Sequence, residues 1–397
     1  MINTTLDKID KAIIESLITN SVAESRTLEY KEALPGRSEK DNHEFLADVT
    51  AIANSSGGDL VYGIREKRDV DNKPTGEPQE ACGIGQPNLD EEIRRLDNLL
   101  RTLVDPRISG ILIRQIDGFP NGPVIIYRIQ KSWAAPHMIR MSSRFYARTT
   151  REKYPMDVRE IRAAFALSDA LPDRIRRFRD DRLAKIVSDE TPLPVMSGAK
   201  IALHVLPVAA FEPGTSLSPA SLIGKLQTMR PLRSRMGHSV RFNFDGVMWF
   251  CQPPPPVTQG TTYVQMFRNG AIEAVEAYML FPRGDEKVIP STEFEQELMQ
   301  GLQVFLDALK ILEFQPPVFV MLTLIGVKGY VMYCGQSWDT GRTKIDRDVL
   351  MLPDGIVEDL NEKPEKILRP MFDGVWQASG MAGSPNYDEK DNWRRRV

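Results

Sequence analysis

The run from Asp41 to Ile64 constrains this chain most. Asp41-Asn42 offers a helix N-cap, and Phe45, Leu46, Val49, Ile52 and Ala53 recur at helical spacing on one face. Gly57-Gly58 stops that helix, because glycine accepts the left-handed C-cap conformation. The short apolar run DLVYGI follows at once and suits a strand buried on both faces. A helix with one apolar stripe, turned tightly into a buried strand, has to pack helix on sheet. The fold class is therefore α/β or α+β.

The flanking patterns fit that class. Leu6, Ile9, Ile13, Ile14, Leu17 and Ile18 predict a helix within Thr4 to Asn20, and Leu28 and Tyr30 alternate with Glu29 and Lys31 as in a half-buried strand. Asn88 opens a further helix lined by Ile93, Leu96, Leu99, Leu100 and Leu103, and Pro106 ends it. ILIRQI and VIIYRI, joined by DGFPNGP, read as a hairpin. A strand over Ile139 to Arg148 and a helix over Val158 to Leu167 close a mixed-sheet domain with flanking helices at about residue 168. Residues 169–192 read as a charged connector helix, 193–379 as a second mixed α/β domain, and 380–397 as a disordered tail. Arg174, Arg176, Arg177, Arg179 and Arg182 of the connector interleave with Asp173, Asp180 and Asp181, the pattern of a self-paired helix face.

The composition excludes several function classes. A net charge of −3 is nearly balanced, so any nucleic-acid contact must come from a local basic face. Cys82, Cys251 and Cys334 are far apart and form no CxxC, which excludes a zinc ribbon and argues against a disulfide framework. No HExxH, GxSxG or GxxxxGK[ST] occurs. Asn54 to Gly58 sits at a helix C-terminus, whose dipole repels phosphate. The opening residues lack a signal-peptide pattern and no run spans a membrane, so the expected location is cytoplasmic.

Two charge patterns remain. Glu24 enters the first strand, Glu29 lies on it, Lys31 shares a face with Glu29, and Glu66 follows DLVYGI. If those strands are neighbours, Glu29 and Glu66 converge near one strand end. Like carboxylates about 4 Å apart repel by roughly 4 kcal/mol at an effective dielectric near 20, so such a cluster needs a cation or a proton. Clustered oxygens suit Mg²⁺ or Mn²⁺. Spacing alone leaves this open against an ordinary solvated strand edge. The second pattern is HMIRMSSRFYARTTREK. As a continuous strand it puts Arg140, Ser142, Arg144, Tyr146 and Arg148 on one face, with Arg151 and Lys153 extending the positive run, which fits phosphate contact and base stacking.

The pattern E-S-x-x-L-E-Y-K, then A-I-A-N-S-S-G-G, D-L-V-Y-G-I, A-A-P-H and R-F-Y-A-R-T-T, resembles the Schlafen-type Alba-like domain over about Val22 to Leu167. The resemblance implies nucleic-acid binding. In nuclease members it implies a divalent metal, Mg²⁺ or Mn²⁺, held by the positions of Glu24, Glu29 and Glu66, with Lys31 beside the phosphate. The third acid is usually aspartate there, and Asp69 and Asp71 are nearby alternatives to Glu66. The expected activity is endoribonuclease cleavage of structured RNA such as tRNA, in an antiviral (anti-phage) defence role, with a homodimer, or the C-terminal region acting as a second lobe, completing the groove. The alternative is a non-catalytic DNA- or RNA-binding regulatory protein whose acids are a relic.

Overall fold

The computed structural model describes residues 1–2, 4, 6–150, 152–211, 215–234, 237–252, 258–282, 287–333, 343–388 and 391–394. The chain is mixed α/β and divides into two units, Met1–Ala170 and Leu171–Val397.

In the first unit the elements are α1 (Lys11–Thr19), β1 (Leu28–Lys31), α2 (Glu39–Asn54), β2 (Gly58–Tyr62), β3 (Ile64–Arg68), β4 (Pro74–Ala81), α3 (Leu89–Leu103), β5 (Val104–Asp105), β6 (Leu112–Phe119), β7 (Gly122–Ile129), β8 (Met138–Ile139), β9 (Arg144–Arg148) and β10 (Lys153–Pro155). The helix α4 (Val158–Val187) then begins. The main sheet has the order β1-β2-β7-β6, with β1 parallel to β2 and the other pairs antiparallel. Alternation gives it two apolar faces. Leu28, Tyr30, Val61 and Ile126 pack against Ile9, Ile14 and Leu17 of the N-terminal segment. Leu60, Tyr62, Ile125 and Tyr127 pack against Phe45, Leu46, Val49, Leu96 and Leu100 of α2 and α3. The result is a helix–sheet–helix sandwich. Asp59 of β2 and Arg128 of β7 face each other across the ladder and form a buried ion pair at 2.8 Å. Arg128 also donates to the carbonyls of Ile2 and Thr4.

Gly57 ends α2 at φ +70°, and a Cβ there would lie 2.5 Å from the backbone nitrogen of Lys131, so these glycines serve the turn. Three expectations are corrected. α2 starts at Glu39 with Ser38 as N-cap, its hydroxyl accepting from the Asp41 N–H at 3.1 Å, so the cap lies ahead of Asp41-Asn42. The strand expected over Ile139 to Arg148 is broken into β8 and β9 by a turn in which Ser143 adopts φ 52°. The helix closing the first domain and the connector are one helix, α4, with Pro172 inside it. The expected hairpin is present as β6–β7.

The second unit contains the C-terminal part of α4, then β11 (Lys200–Pro207), α5 (Pro219–Lys225), β12 (Ser239–Asn243), β13 (Gly246–Cys251), β14 (Thr262–Phe267), β15 (Ile272–Glu276), β16 (Val288–Pro290), α6 (Ser291–Ile311), β17 (Val318–Ile325), β18 (Val331–Tyr333), β19 (Val349–Met351), β20 (Gly355–Val357) and α7 (Pro364–Ala378). An antiparallel sheet runs β12-β13-β14-β15-β11-β17-β19, with β20 also on β17. Residues of α6 and α7 fill a large core with one face, while Leu183 and Ile186 of α4 pack with Ala202, Tyr263 and Val275 on the other. On that second face Arg182 is buried and grips the fully buried Glu273 through Nε and Nη2, both at 2.8 Å. Tyr263 donates to the same carboxylate at 2.8 Å, and His204 Nε2 lies 3.2 Å from it. Arg176 and Arg179 both reach Asp354, so the connector's arginines are not simply self-paired.

The expected disordered tail is a further correction. Tyr387 and Asn386 are buried, and the segment docks through Glu295 of α6. This fully buried carboxylate accepts from Trp376 Nε1 (2.9 Å), Ser384 Oγ (2.7 Å), Asn386 Nδ2 (2.7 Å) and Trp393 Nε1 (2.7 Å).

Candidate acidic site

The site lies where the β1 edge of the main sheet, α2 and the β9–β10 pair meet. Leu28 and Tyr30 of β1 point into the α1-side core, as the alternation predicts. Glu29 and Lys31 take the other face, but that face is covered by α2, so Glu29 is 8% exposed. Ser25 and Leu28 exchange backbone hydrogen bonds across a tight turn. The turn brings Glu24 back beside β1, where its Oε1 accepts from the Tyr30 N–H at 2.7 Å.

Glu66 arrives by a different route. It is on β3, which leaves the main sheet and pairs with β4 in a bulged two-stranded ribbon. Its Oε2 accepts from the Gly76 N–H at 3.0 Å. The Gly76 carbonyl accepts from the Glu24 N–H at 2.7 Å, and a Cβ at Gly76 would lie 3.5 Å from Glu24 Oε2. Glu24 and Glu66 thus flank the same glycine, whose φ of +77° is a conformation glycine adopts freely. Among the described residues no hydrogen bond engages Glu24 Oε2 or Glu66 Oε1. Asp69 and Asp71 sit in the exposed β3–β4 turn, where Asp69 accepts from the Asp71 and Lys73 N–H groups.

The three acids differ in their compensation. Glu29 Oε1 accepts from Lys31 Nζ at 2.6 Å, and its Oε2 pairs with Arg148 Nη1. Burial opposes its ionisation, but these two cations outweigh burial and hold its carboxyl below the usual range. Among the described residues Glu24 has no counter-charge in contact. Burial and then the Glu29 charge push its carboxyl up to about 7, against the pull of the Tyr30 N–H. Burial likewise raises Glu66, although the Gly76 N–H and the Lys31 charge oppose it. Burial alone would lower Lys31, but Asp48 and Glu29 hold its ammonium well above the ordinary range.

Among the described residues no three His, Cys, Asp or Glu side chains form a ready-made metal cage. The donor set fits a hard dication in part. Glu24 and Glu66 each present a carboxylate oxygen, and Mg²⁺ commonly takes only one or two protein carboxylates, with water and phosphate completing its shell. Glu29 would have to release Lys31 or Arg148 to join them.

The basic face is rearranged. Arg144 is exposed, and Arg140 is exposed but 3.4 Å from Asp105. Tyr146 is buried edge-on to His43, with ring centroids 5.8 Å apart, and not on a solvent-facing surface as the expected base-stacking role requires. Arg148 is buried against Glu29. The expected alternation is present within β9, but the face it defines turns toward α2, while Phe145 on the opposite face meets Phe165 of α4. Arg151 lies outside the described residues.

Sequence reasoning missed Asp48, Glu44 and the inward role of Lys153. Asp48 is 3% exposed on α2, and Lys153 Nζ reaches it at 2.6 Å. The available signal was an acid inside the apolar stripe Phe45 to Ala53, where a charge needs a partner.

No curated protein matches the chain. The solved N-terminal domain of a RecG-related protein from Nitrosomonas europaea aligns at 16% identity and a TM-score of 0.27, covering 36% of this chain and 90% of that one. Residues 24–157, which carry every group of the site from Glu24 to Lys153, match the family model described as Schlafen, AlbA_2, and this segment belongs to that family.

Proposed function

We propose that the first unit binds nucleic acid and cleaves RNA with the help of Mg²⁺ or Mn²⁺. The family match supports the binding half of this reading. The observation that carries the cleavage half is the pair Glu24 and Glu66: two acids that, among the described residues, have no contacting counter-charge, that flank Gly76, and on both of which the Lys31 charge acts. A dication held there would stabilise charge on a phosphate and acidify water. Glu24 and Glu66 would hold it, Glu29 would aim Lys31, and Lys31 would meet a phosphate oxygen. Arg144 and Arg140 would hold the backbone further out.

A second reading is favoured by one observation: Glu29, expected as a ligand, already has both oxygens engaged by Lys31 and Arg148. Under it the domain binds nucleic acid without cutting it. One assay separates the two. The full chain is incubated with tRNA and Mn²⁺, with EDTA, and beside a Glu24→Ala/Glu66→Ala variant, while affinity is measured in parallel. Cleavage lost with EDTA and in the variant supports the nuclease. Binding without cleavage leaves the second reading, and cleavage that survives in the variant refutes this placement of the chemistry. Light scattering tests the proposed homodimer, which a monomeric mass contradicts.

A further inference from the structure

A chain of alternating charges runs through the rim of the first unit. Glu44 and Asp48 lie one turn apart on α2, and Lys153 of β10 reaches them at 2.9 and 2.6 Å. The other Asp48 oxygen is 3.9 Å from Lys31 Nζ, Lys31 is 2.6 Å from Glu29, and Glu29 meets Arg148. Three acids and three bases alternate, so their charges cancel. Side-chain exposure falls from 57% at Glu44 to 2% at Arg148, with Lys31 at 33%. Lys31 is thus still open to solvent, and its charge acts on both Glu24 and Glu66. A lysine ammonium sits on a flexible four-carbon stem and holds no fixed place unless it is braced. Glu29 braces it from its own strand. Asp48, on a rigid helix and itself pinned by Lys153, braces it from the other side.

We propose that Asp48 is a positioning residue that fixes the Lys31 ammonium at the open rim beside Glu24 and Glu66, with Lys153 fixing Asp48 in turn. This role deepens the nuclease reading and rests on Lys31 meeting the phosphate there. Asp48 itself is too buried to touch a substrate. Its pair with Lys153 alone would satisfy a structural need, and the second contact, to Lys31, ties it to the site.

The test uses two readouts on the full chain. The first is the rate of reductive methylation of Lys31, mapped by mass spectrometry without RNA. D48N is isosteric and should label several-fold faster than wild type, because the ammonium loses a brace and a counter-charge. K153M, which leaves Asp48 in place but unpinned, should fall between them. The second is single-turnover cleavage of tRNA with Mn²⁺. A misplaced group of this kind costs ~10–100-fold in rate, with affinity changed little. Lys31 labelling in folded D48N at the wild-type rate overturns the proposal, as does an unchanged cleavage rate. Should D48N not fold, K153M carries both readouts, and wild-type labelling or cleavage rates in it overturn the proposal equally. If the wild-type chain cleaves no RNA, the nuclease reading fails, and the labelling arm alone decides the role of Asp48.

Discussion

Replacing Glu24 by Gln is the most informative single change in the acidic site. Gln keeps an oxygen for the Tyr30 N–H and removes the charge. The Glu24 carboxyl is pushed from 4.5 to about 7, mainly by burial and by Glu29, so the folded chain keeps its proton over a pH window in which the unfolded chain has lost it. Stability therefore falls as pH rises from 4.5 toward 7 and levels off above that. A shift of that size corresponds to roughly 3 kcal/mol at about 1.4 kcal/mol per unit, and partial exposure of the side chain cuts this to ~1–2 kcal/mol. Glu24→Gln should lack this contribution. It should match wild type at the acid end of the window and exceed it by that amount near pH 8. Urea midpoints for the first unit, read from protection of the β1–β2 amides across the window, measure the difference. Added Mg²⁺ should stabilise the wild type near pH 8 and not the variant. Parallel pH profiles for the two proteins, or a variant weaker than wild type near pH 8, would refute the claim that Glu24 is an uncompensated charge.

Other changes probe neighbouring groups. Removing one partner of the buried Glu29–Arg148 pair should cost about 3–5 kcal/mol, and Glu29→Gln/Arg148→Met together should cost less than the sum of the single changes, measured as a double-mutant cycle by urea unfolding. Gly76→Ala should cost about 1–3 kcal/mol, since alanine is strained at φ +77° even though its Cβ would make only ordinary contact with Glu24, and thermal unfolding at one fixed pH checks this. In the second unit, burial opposes ionisation of Glu273, yet Arg182 and His204 hold its carboxyl down to about 2. Its stabilising contribution is full above 4.5 and disappears as pH falls toward 2, so Glu273→Gln should flatten the acid limb of an unfolding profile that wild type shows.

Much of this arrangement is legible from local pattern. The stripe Phe45 to Ala53 and the run DLVYGI specify α2 and β2, and strict alternation places Leu28 and Tyr30 in the core. Alternation reports which residues share a face and is silent on what covers that face. It therefore assigns Glu29, Tyr146 and Arg148 to the right side of their strands, while the burial of that side under α2 leaves no mark in it. Glu66 is harder still, because it reaches the site on a ribbon outside the main sheet and meets Glu24 only through Gly76. Long-range pairing of this kind depends on tertiary packing and leaves no periodic trace. The break between β8 and β9 is hidden for a different reason: its turn uses Ser143 in the left-handed region, where serine gives no warning as glycine would.

The Glu295 network has a practical consequence for where this chain can be cut. The residues after Ser379 look dispensable by composition, and trimming them is the natural choice for crystallisation. Such a cut removes Ser384, Asn386 and Trp393, three of the four donors that Glu295 uses, and leaves Trp376 alone on a fully buried carboxylate. An under-satisfied buried charge costs several kcal/mol, a large share of the stability of any domain. Residues 380–388 and 391–394 are thus built into the second unit through Glu295, and a chain trimmed after Ser379 should be recovered as aggregate unless Glu295 is replaced at the same time.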